Sequence, residues 1–214
     1  MNLAPLVTLV ALGAYHGLNP AMGWLFAVSR GMQERSRRGV LRSLLPIAIG
    51  HELALVLVAV VVLVAAEVVD PGALHIAAAV VLFAFGIFRF VKPRAHPRWT
   101  KMRVNNRELT LWSFLMSSAH GAGLIIAPVL IGIGSAGAAA HPEQKAPASA
   151  DVASLAVSGV GLVLHVAAMI AVMAVVAVVV YEKLGVAVLK KAWLNTDQVW
   201  AAVFIAAALI TLFT

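Results

Sequence analysis

Long apolar runs alternate with short polar or basic segments along this chain of 214 residues. A bilayer core needs about 20 mainly apolar residues per helix, and six runs come close to that length. The pattern therefore predicts an all-α polytopic membrane protein with six transmembrane helices. The predicted spans are residues 3–28, 43–67, 72–90, 109–133, 152–181 and 198–213, and residues 185–193 form a connector too short to cross.

Composition supports the membrane class. Hydrophobic residues make up 62% of the chain and charged residues only 12%, whereas a soluble domain carries roughly twice that charged fraction. The lipid bilayer is therefore the first expected partner. The chain has no cysteine, which excludes disulfides, thiolate metal sites and redox dithiols.

The distribution of basic residues predicts the orientation. Of the sixteen Lys and Arg, fourteen lie in the connections between spans one and two, three and four, and five and six, and Arg89 lies at the end of span three beside one of them. The positive-inside rule places these connections in the cytoplasm and both termini outside, in a multi-pass protein of the cell (inner) membrane. Lys145 lies in a Gly/Ala/Pro/Ser-rich stretch, residues 134–151, that we expect to be a flexible outer loop. The net charge of +7 is explained by these loops and indicates no nucleic-acid partner.

Four ionisable rings lie inside the apolar runs: His16, His51, His120 and His165. Such a group costs about 3 kcal/mol or more in hydrocarbon, so it marks a functional site by default. On span four, Ser113 and Ser117 share one helix face with His120. The alternative is that each ring simply donates to a backbone carbonyl at a seam between helices.

The histidines also indicate an internal repeat. Aligning His16 with His120 and His51 with His165 gives separations within the pairs of 35 and 45 residues. Each unit then holds three spans, in residues 1–107 and 108–214, and the odd number of spans inverts the second copy in the membrane. Substrate sites of inverted repeats lie near the midplane, where corresponding helices are broken. The helix-breaking residues here are Asn19, Pro20, Gly121 and Gly123.

The residue types at these positions predict a metal site. Neutral imidazole binds Zn, Cu, Ni and Co, so we take the four histidines as candidate ligands. Glu52 is the only acid well inside a span; we predict that it couples proton transfer, with ligation or a local hydrogen bond as alternatives. Met22 and Met169 could add thioether ligands, although methionine is more often apolar filler. Because Leu55 replaces the second histidine of a His-Glu-x-x-His motif, no enzyme is predicted.

The first span resembles the opening helix of the nickel/cobalt exporter family, within the LysE-type exporter superfamily. That family carries His-Ala-Leu-acid-Pro-x-His, and the matching run here is residues 16–22, where His16, Leu18 and Pro20 agree. The glycine and histidine at positions 50 and 51 are similar to a pair that these exporters carry after their first basic loop. The resemblance implies a six-span, two-repeat exporter. Asn19 stands in place of the acid and Met22 in place of the second histidine.

The leading prediction is a secondary transporter that exports a transition-metal cation through the histidine site, without a resident cofactor. Export of a small organic solute such as an amino acid is the second transporter hypothesis, since half-helix N-termini can hold its carboxylate. Two hypotheses of another class are a haem protein with axial histidines and an intramembrane zinc hydrolase with Glu52 as base. Association into a homo-oligomer is left open.

Overall fold

The computed structural model describes residues 3–92, 104–140, 152–184 and 196–213, and within these ranges the chain is helical with no strand. The prediction of an all-α protein is therefore confirmed for the described residues. A short 3₁₀ turn joins the first two helices, and a π turn at Val180–Leu184 extends the seventh. The helices of the described ranges are α1 (Ala4–Leu18), α2 (Trp24–Glu34), α3 (Arg37–Val68), α4 (Pro71–Val91), α5 (Asn106–Ala119), α6 (Ala122–Ala140), α7 (Val152–Val179) and α8 (Thr196–Phe213).

Several of these helices are long and apolar enough to cross a bilayer. Three qualify alone, and they correspond to predicted spans two, three and five. A fourth qualifies if α5 and α6, which are bent by 65° at their junction, are counted as one span. α1 and α8 are apolar but shorter. A membrane protein is thus supported, while the count of six spans remains a prediction.

The first predicted span is not one continuous helix. α1 ends at Leu18 because Pro20 lacks an N–H and its predecessor Asn19 adopts an extended ψ of 120°. A 3₁₀ turn follows, and Gly23 supplies a φ of 118° before α2 begins. α2 then runs to Glu34, beyond the predicted end at residue 28.

The predicted outer loop also begins later than expected. α6 continues to Ala140, so its last turns occupy the start of the stretch at residues 134–151. This stretch is rich in alanine, the residue with the highest helix propensity, which outweighs its glycines. The remainder of that loop and the predicted connector at residues 185–193 lie outside the described residues.

The starts of α4 and α5 follow from capping residues. The Asp70 side chain accepts hydrogen bonds from the backbone N–H groups of Gly72 and Ala73. Asn105 and Glu108 form a reciprocal capping box, which satisfies two backbone donors that the first turn would leave without a partner. Glu108 therefore helps to cap the start of α5.

Three helix pairs dominate the packing: α1 against α7, α3 against α5, and α4 against α8. Glycines allow two of these close approaches. A Cβ at Gly13 would lie against the carbonyl oxygen of His165, and one at Gly50 would lie against the carbonyl oxygen of Thr110. Small residues of this kind let helix backbones pack directly, and here they bring together the helices that carry the buried histidines.

Polar contacts join the helix ends that flank the basic connections. Arg30, near the end of α2, donates to the side chain of Asn106 at the start of α5. Arg37, at the start of α3, lies 3.5 Å from the carboxylate of Glu182 just after α7. The end of α2 and the starts of α3 and α5 therefore lie on the same side of the bundle as the end of α7.

Candidate functional site

Three of the four histidines form one cluster of rings. The ring centre of His16 lies 5.3 Å from that of His51 and 5.0 Å from that of His165, and the last two centres are 5.6 Å apart. Each side chain is at most 1% exposed. Since α1, α3 and α7 each contribute one ring, the cluster joins both halves of the chain.

Backbone carbonyls hold the Nδ1 atoms of two of the three clustered rings. His16 Nδ1 lies 2.8 Å from the oxygen of Leu12, and His165 Nδ1 lies 3.0 Å from the oxygen of Leu9. A carbonyl can only accept, so each Nδ1 must carry the proton. In the neutral ring the lone pair then lies on Nε2. The tautomers of these two rings are set by backbone groups.

His51 differs in both of its contacts. Its Nδ1 lies 2.8 Å from the hydroxyl oxygen of Ser117, and its Nε2 lies 3.4 Å from Nε2 of His165. The two ring planes are only 4° apart, and the distance between ring centres exceeds the distance between the nitrogens by about two ring radii. The rings of His51 and His165 are therefore nearly coplanar and point their Nε2 atoms at each other.

That geometry determines the direction of the hydrogen bonds. His165 already donates through Nδ1, so its Nε2 accepts in the neutral ring. His51 therefore donates through Nε2 and accepts the Ser117 hydroxyl proton through Nδ1. At 3.4 Å the bond between the rings is longer than the usual 2.7–3.2 Å for a nitrogen donor and is correspondingly weak.

His120 ends α5 at the bend. Its backbone N–H bonds to the oxygen of Met116, and its Nδ1 lies 2.8 Å from the same oxygen. The ring is 1% exposed and close enough to His16 for electrostatic interaction between them. Gly121 follows with a φ of +68°, a conformation that favours glycine. The predicted break at His120–Gly121 is therefore present.

The other predicted break residues divide into two groups. Asn19 and Pro20 form the break after α1, where the Asn19 side-chain oxygen accepts from the N–H of Ala21. The Asn19 amide nitrogen is buried and has no hydrogen-bond partner among the described residues. Gly123 lies just after the break, in the first turn of α6, where a Cβ would strike Val58.

Glu52 and the methionines lie in contrasting surroundings. Glu52 is partly buried, and its Oε2 is buried without a hydrogen-bond partner in the part of the chain that the structure describes. Met22 and Met169 belong to a buried apolar cluster that also holds Met173 and Trp24. The apolar cluster favours a packing role for the methionines. Burial without a hydrogen-bond partner would be costly for Glu52 in its charged form.

The cluster has the spacing of a metal site but not the orientation. A zinc-type ion at about 2.0–2.1 Å from each nitrogen separates the nitrogens of a tetrahedral site by about 3.4 Å and the ring centres by about 5 Å. The ring centres here are 5.0 to 5.6 Å apart. Within the described ranges, however, no group of three or more His, Asp or Glu side chains could hold a metal ion as arranged. In the head-on pair, Nε2 of His51 carries the proton and Nε2 of His165 points at that ring, so the two nitrogens are not directed at a common point.

The same geometry argues against haem. A porphyrin between His51 and His165 would extend sideways from the line that joins them. The ring of His16 lies there, within 5.3 Å of both other ring centres. Two axial imidazoles with a macrocycle between them would therefore collide with the third.

The contact between His51 and Ser117 was not predicted. The serine face of span four indicated that Ser113, Ser117 and His120 lie together, but not which helix they meet. In the structure Ser113 donates to the oxygen of Ile47 and Ser117 contacts His51 one turn farther along α3. The glycine at position 50, which lets α5 approach α3, was the signal that could have identified the partner helix.

The described residues therefore form a helical protein with helices long and apolar enough to cross a membrane and with a buried cluster of histidines from both halves of the chain. No family model, curated protein or solved structure matches the chain. The likeness of the first span to nickel/cobalt exporters remains a prediction.

Proposed function

We propose that this chain is a secondary transporter of a transition-metal cation, which binds between the two halves at His16, His51 and His165, with His120 at the adjoining helix break. The observation that carries the proposal is the mutual contact of three buried imidazoles from α1, α3 and α7. Ionisable groups gathered inside apolar helices are costly, and substrate pathways are where such groups persist.

The packing supports an inverted repeat. If α1 to α4 correspond to α5 to α8, exchanging the halves turns the α1–α7 pair into α5–α3, and both pairs are among the closest in the bundle. The α4–α8 pair maps onto itself. Each half also has a broken first span, at Asn19–Pro20 and at Gly121. Inverted-repeat transporters bind substrate near the midplane beside such breaks.

The clustering of helix ends supports the proposed topology. The contacts of Arg30 with Asn106 and of Arg37 with Glu182 bring the flanks of all three basic connections to one side. That side is the cytoplasmic one under the positive-inside rule, with both termini outside. Six crossings, three in each half, satisfy both the packing and the charge distribution.

Cation binding requires only a small rearrangement of the cluster. The Nε2 atoms of His51 and His165 are already 3.4 Å apart, about the separation that two ligands of a tetrahedral ion have. Tilting both rings would direct their lone pairs at a point shared with His16 while the distance between the nitrogens hardly changes. The weak bond between the two rings is what the cation must replace.

Transport by purified protein in liposomes tests the proposal. We expect Ni²⁺, Co²⁺ or Zn²⁺ to be transported by the wild type, and His16→Ala or His120→Ala to abolish this while insertion into the membrane is unchanged. Removing a ligand should cost at least the roughly 10–100-fold that changes around metal ligands cost. His75→Ala is the matched control, because His75 lies near the start of α4, outside the cluster.

The same liposomes separate the alternatives. Counterflow of amino acids but not of metals would indicate that the substrate is an organic solute. The buried Asn19 amide nitrogen could then donate a hydrogen bond to a polar group of that solute. Stoichiometric zinc together with lipid hydrolysis would indicate an intramembrane hydrolase with Glu52 as base. Cation transport that both histidine variants leave unchanged would refute the assignment of the site.

A further inference from the structure

The partners of Nδ1 are not equivalent among the four buried histidines. His16, His120 and His165 each place Nδ1 against a backbone carbonyl. His51 alone places Nδ1 against a side-chain hydroxyl, that of Ser117. A carbonyl only accepts, whereas a hydroxyl both donates and accepts. Three of the rings therefore have a fixed tautomer, and the fourth has a partner whose role can reverse.

The cluster needs one ring whose Nδ1 can accept a hydrogen bond. If all three clustered rings carried the proton on Nδ1, their Nε2 lone pairs would face one another without a proton between them. His51 avoids this repulsion by donating from Nε2 to His165, which is allowed because its Nδ1 can accept from Ser117. A cation requires the opposite arrangement, with the lone pair of His51 on Nε2.

We propose that Ser117 is a positioning residue that switches the tautomer of His51 between these two arrangements. This inference rests on the proposed cation site. In the hydrogen-bonded arrangement Ser117 donates to His51 Nδ1. In the cation-bound arrangement Ser117 accepts from Nδ1–H, and Nε2 of His51 joins those of His16 and His165 as a ligand. Metal-bound histidines usually donate their other N–H to an oxygen in this way.

The proton count balances with water as the carrier. Water that enters with the hydrated cation takes one proton from Nε2 of His51 and returns one to Nδ1 through the Ser117 hydroxyl, so the ring stays neutral. The Ser117 hydroxyl turns its own proton toward another acceptor. Its helix offers the carbonyl oxygen of Ser113, four residues back, and Ser118 already makes such a bond to Phe114 at 2.8 Å.

The resting tautomer can be measured without any cation. Nitrogen-15 NMR of histidine-labelled protein distinguishes protonated from unprotonated ring nitrogens, and a His51→Gln variant identifies the His51 signals. We expect His51 in metal-free protein to be protonated on Nε2, and the proton to be on Nδ1 after Zn²⁺ is added. Finding Nδ1–H in the metal-free protein would overturn the switch.

Binding measurements test whether Ser117 matters to the cation. Ser117→Ala should weaken Zn²⁺ affinity roughly 10–100-fold, as loss of a partner of a ligating histidine does, and Ser117→Thr should restore it. Ser113→Ala is the matched control, because Ser113 is equally buried on the same helix and bonds to the same neighbour, α3. Ser113→Ala removes a hydroxyl that does not touch His51, so the Zn²⁺ affinity of this variant should stay close to that of the wild type.

The two proposals fail in different ways. Wild-type protein that binds no cation, yet shows Nε2–H on His51, refutes the transport proposal and leaves the resting contact of Ser117 intact. Cation binding that Ser117→Ala and Ser113→Ala change equally refutes the switch alone. The switch alone is also refuted if Ser117→Ala folds, as judged by its elution volume and thermal transition, and His51 keeps its wild-type tautomer ratio.

Discussion

At the scale of single residues, the site is built on how each buried polar atom is satisfied. Backbone carbonyls of Leu9 and Leu12 hold His165 and His16, and the hydroxyl of Ser117 holds His51. Glu52 is the contrasting case, since its Oε2 is buried without a partner among the described residues. A carboxylate in this position is costly when charged and much less so when protonated, which suits a group that takes up and releases a proton during transport.

Replacing Glu52 tests this role. Glu52→Gln keeps the size of the side chain but cannot exchange a proton, so we expect export to lose its dependence on a pH gradient while Zn²⁺ affinity is retained. Transport rates measured in liposomes at several internal pH values provide the readout. Glu182→Gln serves as the control, because Glu182 is exposed beside Arg37. An unaltered pH profile in Glu52→Gln would exclude proton coupling at this residue.

At the scale of elements, close helix packing determines which rings can meet. Gly13 on α1 lies against the backbone of α7 at His165, and Gly50 on α3 lies against the backbone of α5 at Thr110. Larger residues at these positions would separate the helices by about the width of a side chain. The cluster would then lose the contacts between His165 and α1 and between His51 and Ser117.

A single methyl group at Gly13 tests this dependence. In Gly13→Ala the new Cβ would meet the carbonyl oxygen of His165, so we expect a loss of stability of about 1–3 kcal/mol, typical of overpacking, together with weaker cation binding. Gly159→Ala on α7 is the matched control, because among the described residues no neighbouring helix or side chain lies within 4 Å of its Cβ position, and alanine favours helix. Thermal unfolding in detergent gives the comparison, and equal transitions for the two variants would contradict the packing account.

At the scale of the whole molecule, the two halves exchange partners. The first helix of each half packs on the α3 or α7 helix of the other, so neither half could present the complete cluster alone. In the proposed transporter, rocking one half against the other would open the cluster toward one side at a time.

Topology can be measured directly, since the chain has no cysteine. We expect a membrane-impermeant maleimide to label Lys145→Cys but not Arg38→Cys in intact cells, because the positive-inside rule puts the basic connections in the cytoplasm. Permeabilised cells are the control and should label both. Labelling of both positions from outside would contradict the six-span arrangement. Labelling of Arg38→Cys alone would indicate the opposite orientation in the membrane.

Local features of the chain were predictable in part. The break at Asn19 and Pro20 follows from the missing proline N–H, and the bend at Gly121 follows from the freedom of glycine to adopt the left-handed φ that the structure shows there. The extension of α6 to Ala140 differs from the prediction, because a Gly/Ala/Pro/Ser-rich composition indicates a loop while its alanines favour helix. Gly123 allows close packing against Val58, and a sequence does not distinguish this use of glycine from a helix break.

The sequence alone determined that the chain is helical, that its apolar helices suit a membrane, and that a few polar groups interrupt them. Those properties depend on composition and on neighbours within a few residues. Only the tertiary structure decided which imidazoles meet, that His51 and His165 face each other across 114 residues of chain, and that a hydroxyl rather than a carbonyl holds His51. Such contacts depend on how whole helices pack, and the direction of each hydrogen bond depends in turn on the partner that packing supplies.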